Sequence, residues 1–106
     1  MKEFAYIQVI DGMIYAPDIF GTQEGAEAKM VVDFFDHADL GGLSRRCYTE
    51  DGYGIDSEAA HEMYQKYMSL KLNDGVASIQ LGHLPIAHAI NEEGCRWKGI
   101  IYSIEV

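Results

Sequence analysis

Asp11-Gly12 interrupts a stretch in which Ala5, Ile7 and Val9 alternate with Tyr6 and Gln8. Such a dipeptide supplies the two positive-φ residues of a type I′ turn, whose twist suits antiparallel strands, so residues 4–15 are expected to form a β-hairpin. Ala16-Pro17 ends its second strand, because proline has no N–H to give to a ladder, and Asp18 to Gly21 read as a connection. The far end of the chain has the same character. Val76 to Leu81 alternates with Ala77, Ile79 and Leu81 inward, and Ile86–Ile90 and Cys95–Val106 make two more strands joined by Asn91-Glu92-Glu93-Gly94. In the last strand Ile100, Tyr102, Ile104 and Val106 share one face.

The middle of the chain has helical rather than alternating periodicity. Thr22 is a good N-cap, Glu24 and Glu27 favour the positive end of the helix dipole, and Met30, Phe34 and Ala38 recur every fourth residue with Val31 and Phe35 beside them. Gly41-Gly42 is expected to stop this helix. Ser57 or Asp56 caps a second one, with acids early, Lys66 and Lys71 late, and Ala60, Met63, Tyr64, Tyr67 and Leu70 as its buried stripe; Asn73-Asp74-Gly75 ends it. Between the helices, Leu43 to Tyr48 reads as a short strand, followed by an acidic, turn-rich loop over residues 49–54. Hairpins at both ends without a βαβ rhythm predict an α+β fold: a mainly antiparallel sheet of about five to six strands with two helices on one face. The 106 residues fit one compact domain spanning 1–106.

Charge narrows the function classes. The chain carries −9 at pH 7, and residues 18 to 62 hold eleven carboxylates against Lys29, Arg45 and Arg46 only. That segment therefore carries −8, while residues 63 to 106 are neutral. A phosphate backbone rewards clustered Lys and Arg and repels carboxylates, so direct nucleic-acid binding is disfavoured and a basic partner is favoured. The apolar runs are far shorter than the roughly 20 residues that span a bilayer, and the first residues lack the apolar stretch of a signal peptide, so a cytoplasmic protein with no membrane contact is expected. Cys47 and Cys95 are then expected as reduced thiols.

No catalytic signature stands out. Neither the dinucleotide fingerprint nor the Walker pattern is present, and no cofactor is implied. His83 and His88 are spaced H-x4-H across Leu84-Pro85, and Pro85 keeps the stretch between them from being helical, so they are not the i,i+4 ligand pair of a helical zinc site and no metal is expected. Seven tyrosines are many for this length. Tyr64, Tyr67 and Tyr102 read as core, whereas Tyr48 and Tyr53 beside Glu50 and Asp51 read as interface anchors.

Asp33, Asp36 and Asp39 lie three residues apart and are expected to line the exposed face of the first helix, two of them near its negative end, where an acid costs about 0.3–1 kcal/mol. Together with Glu50, Asp51, Asp56, Tyr48 and Tyr53 they form the expected partner-binding set. The leading expectation is a small acidic, non-enzymatic binding protein that inhibits a basic protein or nucleoprotein complex, such as a nuclease or defence effector, by occupying its cationic surface. Phage-encoded inhibitors of restriction or CRISPR complexes, which act in the host cytoplasm, and immunity proteins of nuclease toxins are of this physical kind. The alternatives are a small enzyme or ligand-binding domain with a pocket near His83, His88 and Cys95, or a subunit whose acids only solubilise it. On the leading expectation, replacing Asp33, Asp36 and Asp39 together with Asn slightly stabilises the fold and weakens capture of the partner.

Overall fold

A computed structural model describes residues 1–70 and 76–106. The strands are β1 (Lys2–Ile10), β2 (Met13–Ile14), β3 (Asp18–Phe20), β4 (Ala77–Gln80), β5 (Ile86–Ile90) and β6 (Arg96–Glu105), and the helices are α1 (Gln23–His37), α2 (Gly41–Arg45) and α3 (Ser57–Ser69). The sheet runs β2-β1-β6-β5-β4, with β3 also on β1, and every pairing is antiparallel. The expected α+β architecture is therefore the observed one. No helix of the described residues is long and apolar enough to cross a membrane.

The hairpin turns at Asp11 (φ 50°) and Gly12 (φ 83°), as a type I′ turn requires. The segment after Pro17, expected as a connection, is instead strand β3. Val9 pairs with Ile14 and Phe4 with Phe20, so the outer strand holds one residue more than β1 over the same span. Ala16-Pro17 takes up that residue where proline cannot donate to β1, and β2 and β3 act as one edge strand broken by a bulge. The extra residue reverses the facing, so Ile14 and Ile19 lie on the same side of the sheet as Val9 and Ala5, their partners.

Helix α1 lies across β1, β6 and β5 on one face, and α3 packs along α1. Thr22 caps α1 by accepting from the Gly25 N–H at 3.1 Å, and Asp56, rather than Ser57, caps α3 by accepting from the Ala59 N–H at 3.1 Å. In α1, Ala26, Met30, Val31, Phe34 and Phe35 are buried; in α3, Ala60, Met63 and Tyr67 are buried. Phe34 meets Tyr67 edge-on with ring centroids 5.1 Å apart. Leu70, read as core, is 53% exposed because α3 stops at Ser69 and Leu70 already belongs to its cap. The expected Asn73-Asp74-Gly75 stop lies outside the described residues.

The first helix ends before Gly41-Gly42. Asp39 adopts φ 60°, and the Leu40 N–H bonds to the Phe35 carbonyl at 2.8 Å, closing a Schellman motif. The expected strand over Leu43–Tyr48 is replaced by α2, with only an isolated Tyr48–Ile55 bridge beyond it. Half-buried Leu43 and buried Cys47 stand four apart, a helical spacing, and the Cys47 thiol reaches back to the Leu43 carbonyl at 3.4 Å.

The sheet face under α1 is built from one large ring and several small residues. Trp97 is buried on β6, donates Nε1–H to Gln8 Oε1 at 2.9 Å, and stacks on His37 with centroids 5.3 Å apart and planes 6° from parallel. Ala87, Ala89 and Gly99 occupy the adjoining inward positions. A Cβ on Gly99 would stand 2.9 Å from Trp97 Cζ2 and 3.1 Å from Tyr6 Cε1, so that position admits only glycine without movement of both rings. Inward residues of β6 are thus Trp97, Gly99 and Ile101. Tyr102, expected in the core, faces the other way and is 50% exposed.

Gly99→Ala is expected to destabilise the fold by about 1–3 kcal/mol through overpacking. Gly42→Ala, at a helical position with open space around its Cβ, should be neutral or stabilising by up to about 1 kcal/mol. Chemical denaturation of the two variants beside the parent measures both.

Candidate functional site

The three aspartates of the expected stripe have three different environments. Asp33 is turned inward: its Oδ2 accepts from the Tyr6 hydroxyl at 2.7 Å and its Oδ1 pairs with Lys29 Nζ at 2.9 Å, with 13% of the side chain exposed. Burial, with the Asp33 carboxylate beside it, holds the Tyr6 phenol far above its ordinary range. Burial lowers the Lys29 ammonium, but its hydrogen bond to Asp33 and the charge there outweigh this and raise it. Asp33 is therefore an internal connector between α1 and β1, which removes it from the expected exposed face. Asp39 is exposed but structural, since its carboxylate accepts from the Glu92 N–H at 3.0 Å and ties the end of α1 to the β5–β6 turn. Of the stripe, Asp36 alone is exposed with no hydrogen bond or ion pair of its own among the described residues.

The loop after α2 is held by its own polar groups. The Thr49 N–H bonds to the Gly54 carbonyl at 2.8 Å, the Gly52 N–H bonds to the Thr49 carbonyl at 2.9 Å, and the Thr49 hydroxyl reaches Asp51 Oδ1 at 2.6 Å. The same Asp51 oxygen accepts from the Tyr53 N–H at 3.0 Å. The Thr49 hydroxyl and then that N–H hold the Asp51 carboxyl below its usual range. Gly52 takes the positive φ, 77°, that the turn needs. At its tip Tyr53 is 94% exposed, with Glu50 exposed beside it and Tyr48 at 37%. Asp56, the last acid of the expected set, is exposed but engaged as the α3 cap.

A polar junction that no local sequence pattern announces lies where the helices meet. Glu27, expected to serve the helix dipole, is 6% exposed. Its Oε1 lies 3.1 Å from His61 Nε2, and its Oε2 accepts from Gln23 Nε2 at 3.2 Å and from the Gly82 N–H at 2.9 Å. His61 Nδ1 lies 2.7 Å from the Ser57 carbonyl. Both ring nitrogens thus face acceptors, which favours the imidazolium and leaves no ring lone pair to take a proton from a substrate. Burial lowers His61, but its bonds to Ser57 and Glu27 outweigh that and raise it. The junction binds α1, α3 and the β4–β5 turn together. Outside it opens a wide hollow of about 450 Å³ lined by Glu24, Ser57, Glu58, His61, Glu62 and Gln65.

His83, His88 and Cys95 do not share a cavity. His83 lies in the β4–β5 turn, lining a recess of about 50 Å³ with Phe4 and Pro85. His88 is on β5 opposite Lys98, lining a separate hollow of about 420 Å³ with Val9, Ile90 and Trp97. Cys95 precedes β6, where a hydrogen bond to the Asp11 carboxylate, followed by burial, raises its thiol above the usual range. Burial and the charge of Asp36 push the Cys47 thiol up to about 11. Neither thiol is poised as a thiolate nucleophile. Both cysteines are free, and among the described residues no group of three or more His, Cys, Asp or Glu side chains is placed to hold a metal ion.

Comparison with protein-family models, with curated proteins and with solved structures finds no match to this chain in any of the three.

The ion pair at Asp33 reverses the expectation that asparagine there stabilises the fold. Asp33→Asn should destabilise by about 1–3 kcal/mol, because it leaves Lys29 without its partner, whereas Asp36→Asn should stay within about 0.5 kcal/mol in the same denaturation assay. A second outcome concerns pH. The folded-state pKa of His61 is raised, so its contribution is complete below the unfolded value of about 6.5 and is lost as pH rises through the higher folded value. The parent's stability should therefore fall as pH rises above about 6.5, and His61→Gln should remove that part of the slope.

Proposed function

We propose that this chain is a small acidic, non-enzymatic binding protein that inhibits a basic, nucleic-acid-handling partner by occupying its cationic surface. The observation that carries the reading is Tyr53, 94% exposed on a loop that its own hydrogen bonds hold in one shape. An exposed aromatic at a rigid tip contributes nothing to the core, yet it offers a partner large contact area at low entropic cost. Glu50 and Asp51 flank it, Tyr48 stands at the loop's base, and the loop leads directly into α3, whose Glu58 and Glu62 line the hollow with Glu24. Lysine and arginine side chains that otherwise hold phosphates would meet these carboxylates, with Tyr53 as the desolvated anchor.

On this reading the binding surface centres on residues 48–62 rather than on α1. Asp36 remains part of its acidic field, while Asp33 and Asp39 contribute by holding the scaffold. The net charge of −9 steers a cationic partner toward the chain and makes the association sensitive to salt. The class of partner is a nuclease or another defence effector with a phosphate-binding surface, which is the kind of target that phage inhibitors and toxin-immunity proteins block.

The test is capture on the immobilised chain at low salt, with the retained proteins identified by mass. Basic nucleic-acid-binding proteins should be retained, should elute as salt rises, and should be displaced by duplex DNA or RNA. The Tyr53→Ala/Glu50→Gln variant should bind the retained protein at least about tenfold more weakly, with thermal stability close to the parent's. Equal affinity for the variant, or retention of no basic protein, overturns the proposal.

A further inference from the structure

The side of the sheet opposite α1 is apolar and open. Pairing places Ile7 and Val9 of β1, Ile100 and Tyr102 of β6, and Ile86 and Ile90 of β5 on this one face. Ile14 and Ile19 join them at the edge through the bulge, 77% and 51% exposed, and Ile104 is 38% exposed at the end of β6. All three helices lie with α1 on the other side, so among the described residues no helix or strand covers this face. A fold needs one apolar sheet face to make its core, and this one has two. We infer that the second face is a self-association surface, on which two copies of the chain pack sheet against sheet.

Size and charge both point to a second copy. The five strand rows lie about 4.8 Å apart and, with β4 and β5 short and β1 and β6 long, average about 25 Å in length, so they present on the order of 600 Å². Two such faces would bury on the order of 1,200 Å², at the lower end of the range for specific, stable interfaces. The chain is strongly acidic, yet this face carries a slight cationic excess: Glu3 stands at one end opposite Ile104, and Lys98 and Arg96 stand at the other, opposite Val9 and Ile90, with His88 beside Lys98. A two-fold axis in the interface plane, crossing β1 and β6 at right angles near Ile7, sets Glu3 of each copy over the Lys98 end of its partner. The apolar centre then lies between two opposite-charge contacts, as an isologous interface requires. A basic protein would find only Glu3 here, and an anionic membrane would repel the chain as a whole. The remaining negative charge lies away from the face and opposes dimerisation from a distance, so added salt should strengthen the dimer.

The test is sedimentation equilibrium of the full chain over micromolar concentrations at low and moderate salt. The expected result is a species of twice the chain mass whose dissociation constant falls as salt is added. Tyr102→Glu alters a half-exposed side chain on this face and should leave the circular dichroism spectrum and melting temperature close to the parent's while yielding a monomer. Lys98→Glu should weaken the dimer about tenfold, and the Glu3→Lys/Lys98→Glu double variant should restore it. A parent that stays monomeric at the highest concentration, or a dimer that Tyr102→Glu leaves intact, overturns the inference, and a double variant no tighter than Lys98→Glu overturns the antiparallel arrangement. Because Tyr53 and Glu50 lie outside this face, failure here leaves the partner-capture assay unaffected, and the two readings fall separately.

Discussion

The contact of Trp97 with Gly99 sets the distance at which α1 can lie on the sheet. An indole buried among Phe34, Tyr6 and the stacked His37 contributes a large share of the apolar area removed from water, on the order of 3 kcal/mol for a side chain of this size. It fits only because its neighbour two residues on has no side chain and because Ala87 and Ala89 leave room on the adjacent strand. With that spacing fixed, Tyr6 can reach Asp33 across the layer and Lys29 can close over the same carboxylate. The polar contacts between α1 and β1 therefore depend on an apolar one.

The acidity of the chain divides by position. Asp33, Glu27, Asp39, Asp51 and Asp56 each accept a hydrogen bond that fixes an element or turn, and their charge is partly absorbed by N–H, O–H or cationic donors. Asp36, Glu50 and Glu62 are exposed and face solvent. A count of carboxylates cannot separate these groups, because the same aspartate side chain serves equally as a helix cap, a turn clamp and a surface charge. Placement at an N-cap or after a Thr-x pair signals such a use for Asp56 and Asp51, whereas Asp33, Glu27 and Asp39 are engaged by groups distant in the sequence, and only what remains after both is charge available to another molecule.

Much of the architecture was legible because its signals are local. Asp11-Gly12 specifies its turn by φ alone, and the four-residue recurrence of Met30, Phe34 and Ala38 specifies the buried side of α1. Alternation, by contrast, tells which residues share a face but not which face meets the helices. In β6 both sets are apolar, and the larger one, with Tyr102 and Ile104, lies outward. The pair Lys29–Asp33 at i,i+4 was visible in the sequence, but its closure through Tyr6 needed the third dimension. Nothing in one sequence links Glu27 to His61, thirty-four positions later, since that contact follows from how α3 lies along α1. Leu43 and Cys47 did carry a helical spacing, which the glycines before them obscured.

The break at Ala16-Pro17 also limits how copies of the chain can grow together. A continuous edge would offer an unbroken row of unpaired N–H and C=O groups to the next molecule, and such rows propagate into fibres. Here the row is cut by an imide nitrogen and by a step in register, so an incoming strand that matched β3 would fall out of phase with β2. On the inferred sheet-against-sheet packing, this break disfavours endless lateral addition at the β2–β3 edge and favours closed pairing instead.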